Sequence, residues 1–191
     1  MNRFRMGSFV LALVVFPMLS GFSQSLQRGE NLVSAGIAVG SSLGNFDFSS
    51  SSPGIALQYE MGYMNLDGPG VLGLGGYVGH KNFTHNGENG SYSYSQKWSY
   101  TVIGFRAAYH YSGWTKVSQL DPYGGLMLSY NAVNYSYSAT DGNADPGDQY
   151  DNGLGLSGYV GGRWFFTKNI AAYMELGLGV SNLAVGACYK F

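Results

Sequence analysis

Few residues of this chain have the type and spacing to do chemistry, and each depends on what its neighbours can supply. His110 and Ser112 stand two apart, and a histidine that takes the proton of a serine hydroxyl makes a nucleophile when an acid orients the ring. The next glutamate, Glu175, belongs to a different segment and is no neighbouring orienter. The run Asp141-Gly142-Asn143-Ala144-Asp145 begins like a calcium loop, but Pro146 stands where the turning glycine is needed and no glutamate closes it. Asp141, Asp145, Asp148 and Asp151 therefore read as a solvated acidic loop with a weak hold on divalent cations, and no cofactor is expected. Gly73-Leu74-Gly75-Gly76 lacks the strand-to-helix setting of a phosphate loop. Two Ser/Tyr stretches, residues 91–95 and 134–138, pair a large rigid contact surface with adaptable hydroxyls, the composition of binding loops; they equally extend strands as hairpins. The one cysteine, Cys188, has no intramolecular partner and reads as a packed thiol.

The elements that must position these residues are strands. After residue 24 no stretch carries a helical period, whereas apolar residues alternate with small or polar ones again and again. Eight segments show it. They centre on Val33 to Val39, Ile55 to Tyr63, Leu72 to Val78, Ile103 to Tyr111, Leu126 to Tyr130, Leu154 to Phe166, Ala172 to Val180, and Leu183 to Phe191. Connections of roughly alternating length separate them: short at 65–69 and 168–170, long and polar at 41–52, 84–97 and 139–151. The fold class expected is all-β, an eight-stranded antiparallel up-and-down transmembrane β-barrel.

The composition of the two faces decides what each one meets. The small-polar face is mostly Gly, Ala and Ser, with too few Lys and Glu for a solvated surface, while Tyr, Trp and Phe gather near the strand ends of the apolar face. The apolar face is therefore turned to lipid, and closure of the sheet removes edges whose unpaired backbone would cost several kcal/mol per group. Inside so narrow a barrel, glycines leave room for Tyr77, Tyr159 and Tyr173 and for Glu60, Arg106, Arg163, Glu175 and Lys190, which read as a packed interior ion-pair network. A three-residue link at 168–170 would set Thr167 opposite Ala171 and Arg163 opposite Glu175.

Arg3 and Arg5, the apolar stretch from Gly7 to Leu19 and the small residues at 21–23 make residues 1–23 a cleaved signal peptide, followed by one barrel domain over 24–191. Of 10 Lys+Arg and 11 Asp+Glu, the segment removes two arginines, which leaves a net charge of −3 and no basic footprint for nucleic acid.

The signal peptide, the alternating strands, the ending YMELGLGVSNLAVGACYKF and the terminal Phe191 together resemble the small outer-membrane barrels of Gram-negative bacteria, the OmpA/OmpX-like superfamily. The resemblance implies a cell outer-membrane location with both termini periplasmic, contact with outer-membrane lipid and lipopolysaccharide, and a C-terminal strand whose Tyr189 and Phe191 form a signal to the barrel-assembly machinery. It carries no cell-wall-binding domain with it. His110-x-Ser112 resembles the His-x-Ser of outer-membrane lipid A deacylases, yet this topology puts it at the periplasmic rim, the wrong one for lipopolysaccharide. The expected role is structural or surface-interacting, without catalysis, with an extracellular ligand reached through the outer loops. A lipid A-modifying enzyme and a narrow pore are the alternatives.

Overall fold

The computed structural model describes residues 25–40, 50–89, 92–111, 113, 116–140, 152–177 and 179–191. Nine strands appear among them: β1 (Asn31–Val39), β2 (Ser50–Ser51), β3 (Gly54–Asn65), β4 (Gly70–Asn89), β5 (Tyr92–Tyr111), β6 (Leu120–Ala139), β7 (Gly153–Phe165), β8 (Ile170–Gly177) and β9 (Leu183–Lys190). Eight of them close a ring in chain order, each antiparallel to its neighbours. The seam is β1 on β9, from Leu32 opposite Lys190 to Val39 opposite Leu183. Beyond β9, Asn31 and Phe191 exchange both backbone hydrogen bonds, at 2.9 and 2.8 Å. β2 is a two-residue addition to the edge of β4, at Phe83 and Thr84.

Period-2 alternation places large apolar side chains outside and charges inside, the reverse of a soluble sandwich. Leu57, Phe105, Leu128 and Leu156 are more than half exposed, whereas Arg163 and His110 are 1% exposed and Asp121 is fully buried. Close approach explains the inward glycines. A Cβ on Gly36 would lie 2.5 Å from the Tyr173 hydroxyl, and one on Gly73 would collide with the Glu60 carboxylate.

The strands are unequal. β4, β5 and β6 each run 20 residues, against 8 for β8 and β9, so at about 3.3 Å per residue the three long strands pass well beyond the ring. The polar stretch at 84–97, read from sequence as a long loop, is strand up to Asn89 and again from Tyr92. There the Ser/Tyr repeats are consumed by regular pairing, Tyr94 opposite both Gly87 and Ala139.

Two expectations are corrected by register. Arg163 faces Tyr173 and Glu175 faces Gly161. The link is three residues long but sits one residue earlier, at 167–169: the Phe166 backbone N–H donates to the Ile170 carbonyl at 2.9 Å, and Thr167 stands in the turn, where its hydroxyl accepts from the backbone N–H groups of Asn169 and Ile170 at 3.2 and 2.9 Å. Val180, placed on the lipid face with Ala172, Met174 and Leu176, is instead fully buried; β8 ends at Gly177, and strand parity no longer governs the residues after it.

Candidate functional site

Two regions carry the polar chemistry of the described residues, the lumen near the termini and the sheet at the far end. In the lumen, Glu60 on β3, His110 on β5, Asp121 on β6 and Arg163 on β7 make a closed cycle. Arg163 Nη2 lies 2.5 Å from Glu60 Oε2 and Nη1 lies 3.3 Å from Asp121 Oδ2. His110 Nε2 is 2.6 Å from Glu60 Oε1, and its Nδ1 is 3.1 Å from Asp121 Oδ1. A second pair sits beside it: Arg106 Nη2 is 2.6 Å from Glu175 Oε2, to which Tyr123 also donates at 3.1 Å. The aromatic rings complete the packing, Arg106 lying 3.7 Å over Tyr159, Arg163 4.2 Å over Tyr123, and His110 stacked on Tyr123.

Glu60, Asp121 and Glu175 oppose Arg106, Arg163 and an imidazole whose two nitrogens both face carboxylate oxygens. An acid next to His110 does exist, Asp121, contrary to the expectation from sequence spacing. With Nε2 on Glu60, however, neither ring nitrogen remains to take a hydroxyl proton, and Ser112 lies outside the described residues. Lys190 is apart from the cycle: its ammonium is 3.0 Å from Glu30 and 5.1 Å from the Phe165 ring centre.

Chain crosses the lumen at both ends. At the termini end residues 25–30 fold across the mouth, Gly29 donating to the Gly62 carbonyl, and Leu26 is fully buried. Gly62 is required there, since a Cβ would strike the Gln27 carbonyl. At the far end the link after β8 turns inward: Val180 N–H donates to the Tyr77 hydroxyl at 3.2 Å, and buried Lys81 donates to the Gly40 carbonyl and to Ser181 Oγ.

The far sheet inverts the face rule. On β5 the outward residues are Phe105 and Ile103 and then, further along, Thr101, Ser99 and exposed Lys97; the inward ones are Arg106 and then Val102, Tyr100 and Trp98, all buried. Phe83 on β4 and Tyr135 on β6 continue the inner aromatic layer, Trp98 and Tyr135 lying 5.6 Å apart. The outer face carries side-chain hydrogen bonds, His80 with Thr101 at 2.9 Å and Ser99 with Asn82 at 2.8 Å. The apolar outward band therefore ends between Ile103 and Thr101. From Tyr111 to Ile103 the strand runs about 26 Å, which a tilt of ~40° turns into a height of about 20 Å, close to the ~25 Å apolar band of outer-membrane barrels.

The chain matches no protein-family model and no curated protein. Among solved structures it is similar to the outer membrane protein OprG from Pseudomonas aeruginosa, at 14% identity and a TM-score of 0.52 over 88% of this chain and 98% of that one. Its fold is that of a small outer-membrane β-barrel. Ail of Yersinia pestis, solved in complex with the heparin analogue sucrose octasulfate, aligns at 12% identity and a TM-score of 0.46 over 86% of this chain and all of that one. Neisserial surface protein A aligns at 18% identity and a TM-score of 0.40 over 85% and 94% of the two chains.

Of the interior residues expected from sequence, Glu60, Arg106, Arg163 and Glu175 all lie in the lumen, paired otherwise than expected, while Lys190 joins Glu30. Asp121, Lys81 and Glu30 were missed. Parity alone would have found the first two: Asp121 continues the inward series Met127, Gly125, Tyr123, and Lys81 follows Tyr77 and Gly79, but those two strands were started too late and ended too early.

Proposed function

We propose that this protein is a closed outer-membrane barrel that displays the far sheet of β4, β5 and β6 outside the cell as an interaction surface. One observation carries the reading: on the same strands the outward face changes from apolar to polar at Ile103/Thr101 while the inward face changes from charged to aromatic, as it must where a strand leaves lipid for water. In this orientation both termini are periplasmic, the apolar band contacts outer-membrane lipid and lipopolysaccharide, residues 1–23 are a signal peptide removed on export, and Tyr189 and Phe191 serve the barrel-assembly machinery. The lumen, filled by Leu26, by the ion-pair cycle and by Val180, supports a scaffold in preference to a pore.

Intact cells carrying single cysteines at Gly87 or Asp67 test the orientation, with Cys188 buried and silent. A membrane-impermeant maleimide should label Gly87→Cys only; labelling of Asp67→Cys alone reverses the topology. Removal of the 84–97 hairpin should then abolish adhesion to surfaces or host cells with the ring still inserted, and unchanged adhesion rejects the surface role.

A further inference from the structure

We propose that the outer wall of the ring over β6 to β9 is a binding site for one phospholipid with an anionic headgroup, in the leaflet at the termini end. The inference rests on the orientation proposed above, which makes that leaflet the periplasmic one. A groove of about 620 Å³ runs there, a volume ordinary for a small-molecule site. The side chains that shape it share one face. Asp121, Arg163, Tyr173 and Ala184 are buried on the lumen side, so alternation turns Leu120, Gly162, Trp164, Ala172, Met174 and Val185 to the lipid.

The floor of the groove is made by small residues. Gly162 on β7 and Ala172 on β8 are diagonal neighbours, since Gly162 pairs with Met174 and Trp164 with Ala172. A Cβ on Gly162 would meet nothing nearer than Leu120 Cδ1, at 3.8 Å, so the space above that glycine is open. Trp164 and Met174 hold the other two corners of the square, and Leu120, opposite Trp164, and Val185, opposite Met174, carry the walls onto β6 and β9. A recess between apolar walls that face hydrocarbon suits an acyl chain, which bends to the shape that bounds it.

The termini end of the groove supplies contacts for a headgroup. The Phe165 N–H donates to the Gln119 carbonyl at 2.9 Å, which ties the turn between β5 and β6 to the end of β7. Exposed Lys116 stands in that turn and exposed Lys168 in the next one. Trp164 lies half-exposed on the strand between them, with an indole N–H to offer a phosphate or ester oxygen at the interface. Among the described residues from Lys116 to Phe191 the acidic side chains are Asp121 and Glu175, both buried in the lumen, so the side-chain charge on this outer wall is positive and favours an anionic headgroup. A second copy fits less well. A two-fold contact would set groove against groove, leave the recess empty and crowd Lys116 and Lys168 of both copies at one rim. Lipopolysaccharide occupies the opposite leaflet in the proposed orientation.

The full barrel, refolded in detergent, would be titrated with phosphatidylglycerol or with phosphatidylethanolamine of the same acyl chains and read by native mass spectrometry. One phosphatidylglycerol per barrel should be retained, about tenfold or more tightly than phosphatidylethanolamine. Lys116→Gln and Lys168→Gln should each weaken it about fivefold, and together bring it to the level of phosphatidylethanolamine. Gly162→Phe, which fills the groove from its floor, should remove retention of both lipids. Gly76→Phe should not: it is an outward position on β4, opposite Phe105, where a Cβ meets nothing closer than 3.9 Å. Heat-modifiable gel mobility checks that each variant is folded. Equal retention of the two headgroups, wild-type retention by Gly162→Phe, or an equal loss in Gly76→Phe overturns the proposal. So does a dimer that Gly162→Phe alone dissociates, which would assign the groove to a second copy. Selective retention together with maleimide labelling of Asp67→Cys alone upholds the groove and rejects the orientation, placing the same site in the outer leaflet.

Discussion

β5 and β6 each pass through two worlds, and the same alternation serves opposite purposes in them. In the ring, Phe105 and Leu128 point out and Arg106 and Met127 point in; in the far sheet, Lys97 and Ser136 point out and Trp98 and Tyr135 point in. What differs is the solvent on the outer side, and the strands change composition without a change of backbone register. Hydrophobicity is therefore not attached to a face of the sheet. It follows the medium, so the level of the switch marks the edge of the bilayer more sharply than strand length could.

The largest effect expected from this contrast lies in the lumen, where charge is buried. Arg163→Met strands Glu60 and Asp121 without their cation, at a cost of roughly 3–5 kcal/mol, read as a lowered midpoint of unfolding in denaturant from lipid or detergent. Addition of Glu60→Leu should recover part of that loss, because the two residues share an ion pair. Addition of Glu175→Leu should deepen it instead, since that change orphans Arg106. Recovery with Glu175→Leu in place of Glu60→Leu would show that the pairing follows the simple hairpin expectation.

Next in size is a charge on the outside, which should be costly in one region and harmless in the other. Leu128→Arg sits on the exposed face of β6 within the apolar band, where an arginine costs about 2–4 kcal/mol near the bilayer midplane. Ser136→Arg, eight residues along the same face, should change stability by less than about 0.5 kcal/mol. Equal losses at both positions would mean that the far sheet is also in lipid and that the proposed membrane edge is misplaced.

The ring was legible in the sequence because lipid on one side and a narrow lumen on the other impose a strict period of two, visible in stretches such as Ile55 to Tyr63. The far sheet was less so, because Thr84 to Lys97 is polar enough to pass for a loop: its pattern still alternates, but the apolar member is Phe, Trp or Tyr on the inner face and the contrast with Ser and Asn is shallow. The interior network was legible as membership and not as pairing. Which residues point inward depends on parity along one strand, whereas which residues touch depends on registers fixed by turns, and the Thr167 hydroxyl moved one of those by a residue on each strand. Val180 was beyond either rule, since it lies past the end of β8 where an irregular link folds into the lumen.

The smallest effect sharpens the comparison at the seam. Glu30 and Lys190 join the start of the barrel to its end at 3.0 Å, and the same Glu30 carboxylate accepts from the Gln27 backbone N–H at 2.8 Å. Unlike the Arg163 cycle this pair is open to water, with Glu30 35% exposed, so solvent screens it and Lys190→Gln should cost about 1 kcal/mol or less. Its consequence is local. Loss of the clamp should loosen residues 25–30 over the mouth and speed hydrogen exchange at the Gly29 and Gly62 amides, which bond across it, while the β1–β9 ladder stays protected by its own backbone pairing. Faster exchange throughout β1 and β9 would instead show that this ion pair, and not the strand ladder, holds the barrel shut.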